Sequence, residues 1–338
     1  MTSRDRVLAS LAHQRTDYVP YEFQLSVGLK EALLAETGIT NLPQKAHCDV
    51  VCAEYSPSGE WIRPGFFQDG FGVVWNRSGA DRDIGLVDNL VIPDPETALI
   101  RLPAVDTAGV HAFFQNATVN KGDTFLFGEL GFTLFERAWT LCGMENLLVY
   151  MILEPEFTHA LFDRICEYNL EILKIALQYP LDGFHFGDDW GQQKGLIMGP
   201  AHWNNFIKPH LARMYAAVRG AGIPVSQHSC GDISELFGTL IDIGLNCYQT
   251  FQPEIHDPAA FKRNWGGQLS VWGGVSTQRV LPFETPEGVR AATAGIIRQI
   301  GQNAGGMIAA PTHMLPPDVP VANLLAMVDV FEHQDKYL

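Results

Sequence analysis

The sequence predicts an α/β protein folded as a (β/α)8 TIM barrel, and three observations carry that expectation. From Thr124 onward, short apolar runs of strand type alternate with helical runs of about ten residues or more. Proline stands in the first helical turn at Pro155, Pro258 and Pro286, where its fixed φ suits a helix start and its missing N–H costs no bond. No strand is followed by a Gly-x-Gly-x-x-Gly turn, which disfavours the doubly wound open sheet. Strand–helix alternation requires parallel pairing with helical crossovers, and eight such strands point to a closed barrel.

Each element follows from local pattern. Residues 5–15 place Val7, Leu8, Leu11 and Ala12 at helical spacing. Pro20 ends that run, and Tyr18–Phe23 reads as a short strand. A helix over Val27–Glu36 stops at Gly38, and Asp49–Tyr55 is the next strand. Residues 56–95 break the pattern, being rich in Gly, Pro and aromatics with one strand-like run at Gly72–Asn76. They are expected to form an insertion folded over one end of a single barrel domain spanning 1–338, with 96–115 as linker and helix. The remaining strands are Thr124–Glu129, Gly183–Gly187, Val225–Cys230, Asn246–Gln249, Leu269–Trp272 and Met307–Ala310. Helices are expected near 132–152, 155–179, 200–221, 233–243, 257–265 and 286–300.

Composition excludes several functions. The 38 Asp and Glu against 23 Lys and Arg give a formal charge of −15, a field that repels phosphate backbones, so nucleic acid is not an expected partner. No run of about 18 apolar residues spans a membrane, and the N-terminal segment lacks signal-peptide character. The six cysteines are scattered without a Cys-x-x-Cys pair and read as reduced thiols of a cytoplasmic protein acting on a small-molecule substrate.

In such a barrel the active site lies at the carboxyl ends of the strands. The residues there are unusually polar: Glu22, Glu54 and Tyr55, Glu129, His185, Asp188 and Asp189, His228 and Cys230, Gln249 and Gln252, Trp272 and His313. Gln227-His-Ser-Cys-Gly231 is the sharpest pattern, because residues two apart on a strand share a face, and imidazole and thiolate are both zinc ligands. His313 offers a third ligand, and three protein ligands with an open fourth position characterise catalytic zinc. A buried apolar Cys and a hydrogen-bonded core His are the plain alternative. Asp188 and Asp189 read as general base, metal ligand, substrate anchor or turn cap. Glu129 is a ligand, an acid/base group or the partner of Arg137, while His159, His202, His210 and His333 read as surface or packing residues.

The chain resembles the uroporphyrinogen decarboxylase superfamily, which also holds corrinoid- and coenzyme M-linked methyltransferases. The resemblance runs through Arg6-x-x-x-x-Leu-Ala-x-Gln-Arg-Thr-Asp-Tyr-Val-Pro20, Gly143-Met-Glu-Asn-Leu-Leu, Glu154-Pro-Glu-Phe, Gly187-Asp-Asp-Trp-Gly, His228-Ser-Cys-Gly, Trp272-Gly-Gly and Pro316-Pro-Asp-Val-Pro-Val-Ala-Asn. True decarboxylases of the family carry an Arg-Gln-Ala-Gly-Arg segment after the first strand that holds a polycarboxylate. Here Tyr21-Glu-Phe-Gln-Leu-Ser26 has no arginine, and Glu22 would repel such a substrate. Asp49 sits where those enzymes have their catalytic aspartate.

The His-x-Cys-Gly motif instead resembles the methyltransferase branch, where it supplies two zinc ligands and a later cysteine the third. Thr312-His313-Met314 occupies that place here. One thiolate and two imidazoles leave the zinc centre with one positive charge, which favours activation of oxygen- or nitrogen-linked donors over thiols. The resemblance therefore implies a zinc-dependent enzyme moving a methyl group from a small donor to a corrinoid, held by a partner protein, or to a thiol. His228, Cys230 and His313 would hold the metal, with Asp189, Glu129 and Asp49 as catalytic candidates. Glu22, Tyr55, His185, Asp188, Gln249 and Trp272 would line the substrate site. The alternatives are a cofactor-free decarboxylase using Asp49 or Asp189, and a corrinoid- or metal-binding protein without catalysis.

Overall fold

A computed structural model describes residues 1–79, 82–119 and 121–338. Residues 80 and 81 of the expected insertion therefore lie outside the described residues. The strands are β1 (Val50–Glu54), β2 (Glu60–Arg63), β3 (Phe66–Gln68), β4 (Val74–Asn76), β5 (Leu86–Val87), β6 (Phe125–Leu130) and β7 (Gly183–Gly187). They continue as β8 (Gly191–Gln192), β9 (Gly195–Leu196), β10 (Val225–His228), β11 (Cys247–Phe251), β12 (Ser270–Val275) and β13 (Met307–Pro311). Seven strands form the main sheet in chain order, β1-β6-β7-β10-β11-β12-β13. Pairing is parallel in β7–β10, β11–β12 and β12–β13. Sequential parallel order with intervening helices is the topology the strand–helix alternation predicts.

Two compact units divide the chain. The first comprises Met1–Cys52, Lys121–Phe127 and Leu245–Leu338. Its core gathers Val7, Val50, Phe125, Phe127, Cys247, Trp272, Ile308 and Ala310, all buried. Segment 20–26 stands beside β13 in this unit: Ala309 N donates to Pro20 O at 2.8 Å and Glu22 N to Ala309 O at 3.1 Å. On its other side Asp49 N donates to Tyr21 O at 3.0 Å. The expected strand Tyr18–Phe23 is thus present only as parallel bridges Tyr21↔Ala309 and Leu25↔Leu315. Pro20 has no N–H to give, and Tyr21 N donates to the Asp49 side chain at 3.2 Å instead of to a backbone carbonyl, so no continuous ladder forms.

The second unit comprises Ala53–Asn120 and Gly128–Gly244. Its insertion is a four-stranded antiparallel sheet, β2-β3-β4-β5, where the sequence suggested one strand. The expected helix 132–152 is two, Phe135–Cys142 and Met144–Leu153, broken at Gly143 with φ 88°. The expected helix 200–221 is also interrupted, by a π-turn at Trp203–Ile207 just ahead of Pro209, which cannot donate the bond that would continue the α ladder. Among the described residues no helix is long and apolar enough to cross a membrane, and none of the six cysteines is in a disulfide.

Candidate active site and metal-ligand pair

In the second unit the site is built on the carboxyl ends of β7 and β10. His228 is the last residue of β10, and Cys230 lies two residues beyond the strand. The sequence extended the strand to Cys230; the chain instead turns at once, yet His228 Nε2 and Cys230 Sγ lie 3.4 Å apart. A tetrahedral zinc with N and S ligands at their usual lengths would hold those two atoms about 3.6 Å apart, so the pair fits one ion without rearrangement. Both side chains are part-exposed, which leaves the ligand face open.

The turn that permits this belongs to Gly231. Its φ is +80°, and a Cβ there would meet Gly191 C at 2.3 Å and Gln192 N at 2.4 Å. Gly191 answers from the other side, since its own Cβ would meet Cys230 O at 2.5 Å. Two bare backbones can therefore cross where no side chain would fit. Asp232 N donates to Gln192 O at 2.8 Å and Trp190 N to Ser229 Oγ at 3.0 Å, fixing the crossing.

The crossing sets the acidic residues after β7. Asp189 Oδ1 accepts from Cys230 N at 2.8 Å and lies 3.2 Å from His228 Nε2. Burial by itself depresses the His228 pKa, but Cys230 and Asp189 beside it outweigh burial and hold it well above the ordinary value. Asp188 faces the other way and is fully buried. It accepts from the N–H groups of Leu134, Phe135 and Glu136 at 3.2, 2.9 and 2.8 Å and from Trp190 Nε1 at 2.6 Å. Burial nonetheless pushes its carboxyl up to about 6 against those donors. Its oxygens serve the N-terminus of helix Phe135–Cys142, a site that favours an anion.

Glu136 is a site neighbour the sequence reading missed. Burial first, then Asp189 and Asp188, hold its carboxyl well above the usual range, and the Asp189 N–H donates to it. The available signal was its place in the first turn of the helix after β6. Glu129, on β6, lies 4.0 Å from His185 Nε2, not on Arg137, which pairs with Asp69 at 2.9 Å. His185 is buried, bonded through Nδ1 to Ser226 Oγ at 2.9 Å, and burial followed by His228 lowers it to about 3, so it is neutral. Tyr55 is buried against Phe113, ring centroids 5.5 Å apart.

In the first unit, Trp272 Nε1 donates to Glu22 Oε2 at 3.2 Å, so two expected substrate-site residues do meet. Gln249 pairs in register with Trp272 on the neighbouring strand, and His313 follows β13 with an exposed side chain. Asp49 differs in place. It precedes β1, at the end opposite Glu54, and is fully buried. Arg6 donates to it at 2.7 Å, Tyr18 Oη at 3.2 Å and Tyr21 N at 3.2 Å. Those partners make it part of the framework around segment 20–26.

Glu22 gives a pH prediction. Burial raises its carboxyl from 4.5 to about 7, against hydrogen bonds from Trp272 and Gln24. A folded-state pKa above the unfolded one stabilises below the unfolded value and is lost as pH rises through the folded value. Stability should fall by about 3 kcal/mol between pH 4.5 and 8 from this group alone. Urea titrations across that range should show a flatter profile in Glu22→Gln; an equally steep one would mean Glu22 is not the titrating group.

Comparison with known proteins follows the same lines. The sequence profile of the uroporphyrinogen decarboxylase (URO-D) family matches residues 127–334. Uroporphyrinogen decarboxylase of Rhodococcus jostii is 24% identical over 271 residues, 76% of this chain and 74% of that protein. The Thermus thermophilus enzyme of the same name is 23% identical over 180 residues, 53% of this chain and 49% of that one. Among solved structures, a methyltransferase from Methanosarcina mazei superposes with a TM-score of 0.71 at 17% identity, covering 100% of both chains. At that identity the likeness is one of fold, and the fold is the (β/α)8 barrel.

Proposed function

Since this chain belongs to the uroporphyrinogen decarboxylase family, whose named relatives are enzymes, we propose that it is a metal-dependent, methyltransferase-like member. It would move a methyl group from a small oxygen- or nitrogen-linked donor to a corrinoid carried by a partner protein, or to a thiol. The observation that carries the reading is the His228–Cys230 pair at the end of β10, 3.4 Å apart and part-exposed. To this pair the sequence reading adds His313 as a third donor, and zinc is the ion that N and S ligands of this kind suit. A fold neighbour is itself named as a methyltransferase.

Bound there, zinc would supply Lewis acidity toward the donor heteroatom. The residues of the chain do the rest. Asp189, fixed by the Cys230 N–H, orients the donor beside the ligand pair. The heteroatom leaves with the bonding electron pair and takes up a proton, for which Asp189 and Glu129 are the proposed sources. A reduced corrinoid on a partner would supply the electron pair for the new bond to the methyl carbon, so no other reductant would enter the balance.

A second reading, cofactor-free decarboxylation, draws on the names of the curated relatives. Against it, segment Tyr21–Ser26 has no arginine and buries Glu22. One series of assays separates the two. His313→Cys should retain zinc, because thiolate is an equally good ligand, but lose most methyl transfer from an oxygen- or nitrogen-linked donor, since a second thiolate weakens the Lewis acid. Equal activity in His313→Cys would remove His313 from the metal. Efficient turnover of uroporphyrinogen by the wild type would overturn the methyltransferase reading.

A further inference from the structure

We propose that the antiparallel insertion is a clamp that positions Asp189 against His228 and Cys230, with Asp69 and Arg137 as its positioning residues; this rests on the reading of that pair as the centre of the site. The connection can be followed bond by bond. At the turn between β3 and β4, Asp69 accepts from Phe71 N at 2.9 Å, Val73 N at 3.0 Å and Trp75 Nε1 at 3.2 Å, so the turn is folded around this carboxylate. Its remaining bond goes out of the insertion, to Arg137 at 2.9 Å. The Arg137 guanidinium also lies over the Phe71 ring, 4.0 Å from its centroid, and Trp75 meets Phe132 edge-on at 5.3 Å. Beyond β5 the returning chain holds the same helix at its far end, where Val91 N and Ile92 N both donate to Leu141 O at 2.9 Å.

The insertion therefore grips helix Phe135–Cys142 at both ends. A helix of eight residues is marginal by itself and takes its place from what it packs against. The first turn of that helix gives three N–H bonds to Asp188. Asp188 N in turn donates to His228 O at 3.2 Å, and the next residue, Asp189, accepts from Cys230 N. Glu136, one residue before Arg137, takes the Asp189 N–H. A shift of the helix start consequently moves both carboxylates that adjoin the ligand pair. Neither Asp69 nor Arg137 touches the pair directly, so both act through Asp188 and Asp189.

The test reads Cys230 without any metal. After chelation, alkylation of Cys230 by iodoacetamide is timed by peptide mass spectrometry, with the part-exposed Cys52 as internal reference. In Asp69→Asn the Cys230 rate should change by about 2- to 100-fold, the span of couplings between residues in one network, while Cys52 keeps its rate. The same substitution in an Asp189→Asn background should have little further effect. Zinc affinity of Asp69→Asn, measured by chelator competition, should fall by about 10- to 100-fold, as for partners that orient ligands. Should Asp69→Asn not fold, Trp75→Phe removes one donor to Asp69 and should shift the Cys230 rate in the same direction by less. An unchanged Cys230 rate in a folded variant overturns the clamp, as does a full effect in the Asp189→Asn background. Because that rate is read metal-free, wild-type protein that binds no zinc would instead overturn the metal reading alone.

Discussion

Asp49→Ala should destabilise the protein by about 3–5 kcal/mol, the cost of stripping one partner from a buried ion pair. The substitution leaves the Arg6 guanidinium, 5% exposed, with the half-exposed Asp17, the Met1 carbonyl and the Tyr18 ring, and leaves Tyr21 N without its acceptor. Its effect should appear in urea unfolding and not in zinc content of the folded fraction. The expected size follows from burial: Asp49 is fully buried, whereas Asp17 on the same guanidinium is 43% exposed, so Asp17→Ala should cost far less. A stable Asp49→Ala that has lost activity would restore this residue to catalysis.

Gly231→Ala should disable the site with a smaller loss of fold. A Cβ at φ +80° costs about 1–2 kcal/mol in backbone strain. It would also strike the Gly191 backbone at 2.3 Å, where neither chain has a side chain to move aside. The loops must separate, which carries Cys230 away from Asp189. Zinc affinity should drop by about 100-fold or more, at least the loss expected when a ligand-orienting contact is removed. Gly222→Ala, also at positive φ but with nothing within 4 Å of a Cβ, is the control for strain alone. Equal zinc affinity in Gly231→Ala and wild type would contradict the crossing as the source of the geometry.

What was legible in the sequence was local. Parallel strands with helical crossovers follow from alternation, and the adjacency of His228 and Cys230 follows from a spacing of two near a strand end. Position along a strand was legible too, although the resemblance obscured it: Asp49 precedes β1, at the end where a barrel keeps its framework residues. Its partner Arg6 lies 43 residues away, a pairing no local pattern contains. Asp188 and Asp189 could not be told apart by type, since only the three-dimensional path turns one onto a helix N-terminus and the other onto Cys230. Glu136 escaped notice for the same reason, its role arising from the fold of the helix start. Segment 20–26 looked like a strand by composition, and only the competition of the Asp49 side chain for Tyr21 N shows why its ladder stops at two bridges.

His228 and Cys230, with His313 as third donor, are the proposed ligands of one metal ion. Elemental analysis of protein purified without added metal, for wild type and Cys230→Ala, tests that assignment most directly. About one zinc per wild-type chain is expected, as a three-ligand catalytic site carries, and almost none in a Cys230→Ala that keeps its fold. Wild-type protein free of metal, or full zinc occupancy in Cys230→Ala, would contradict it.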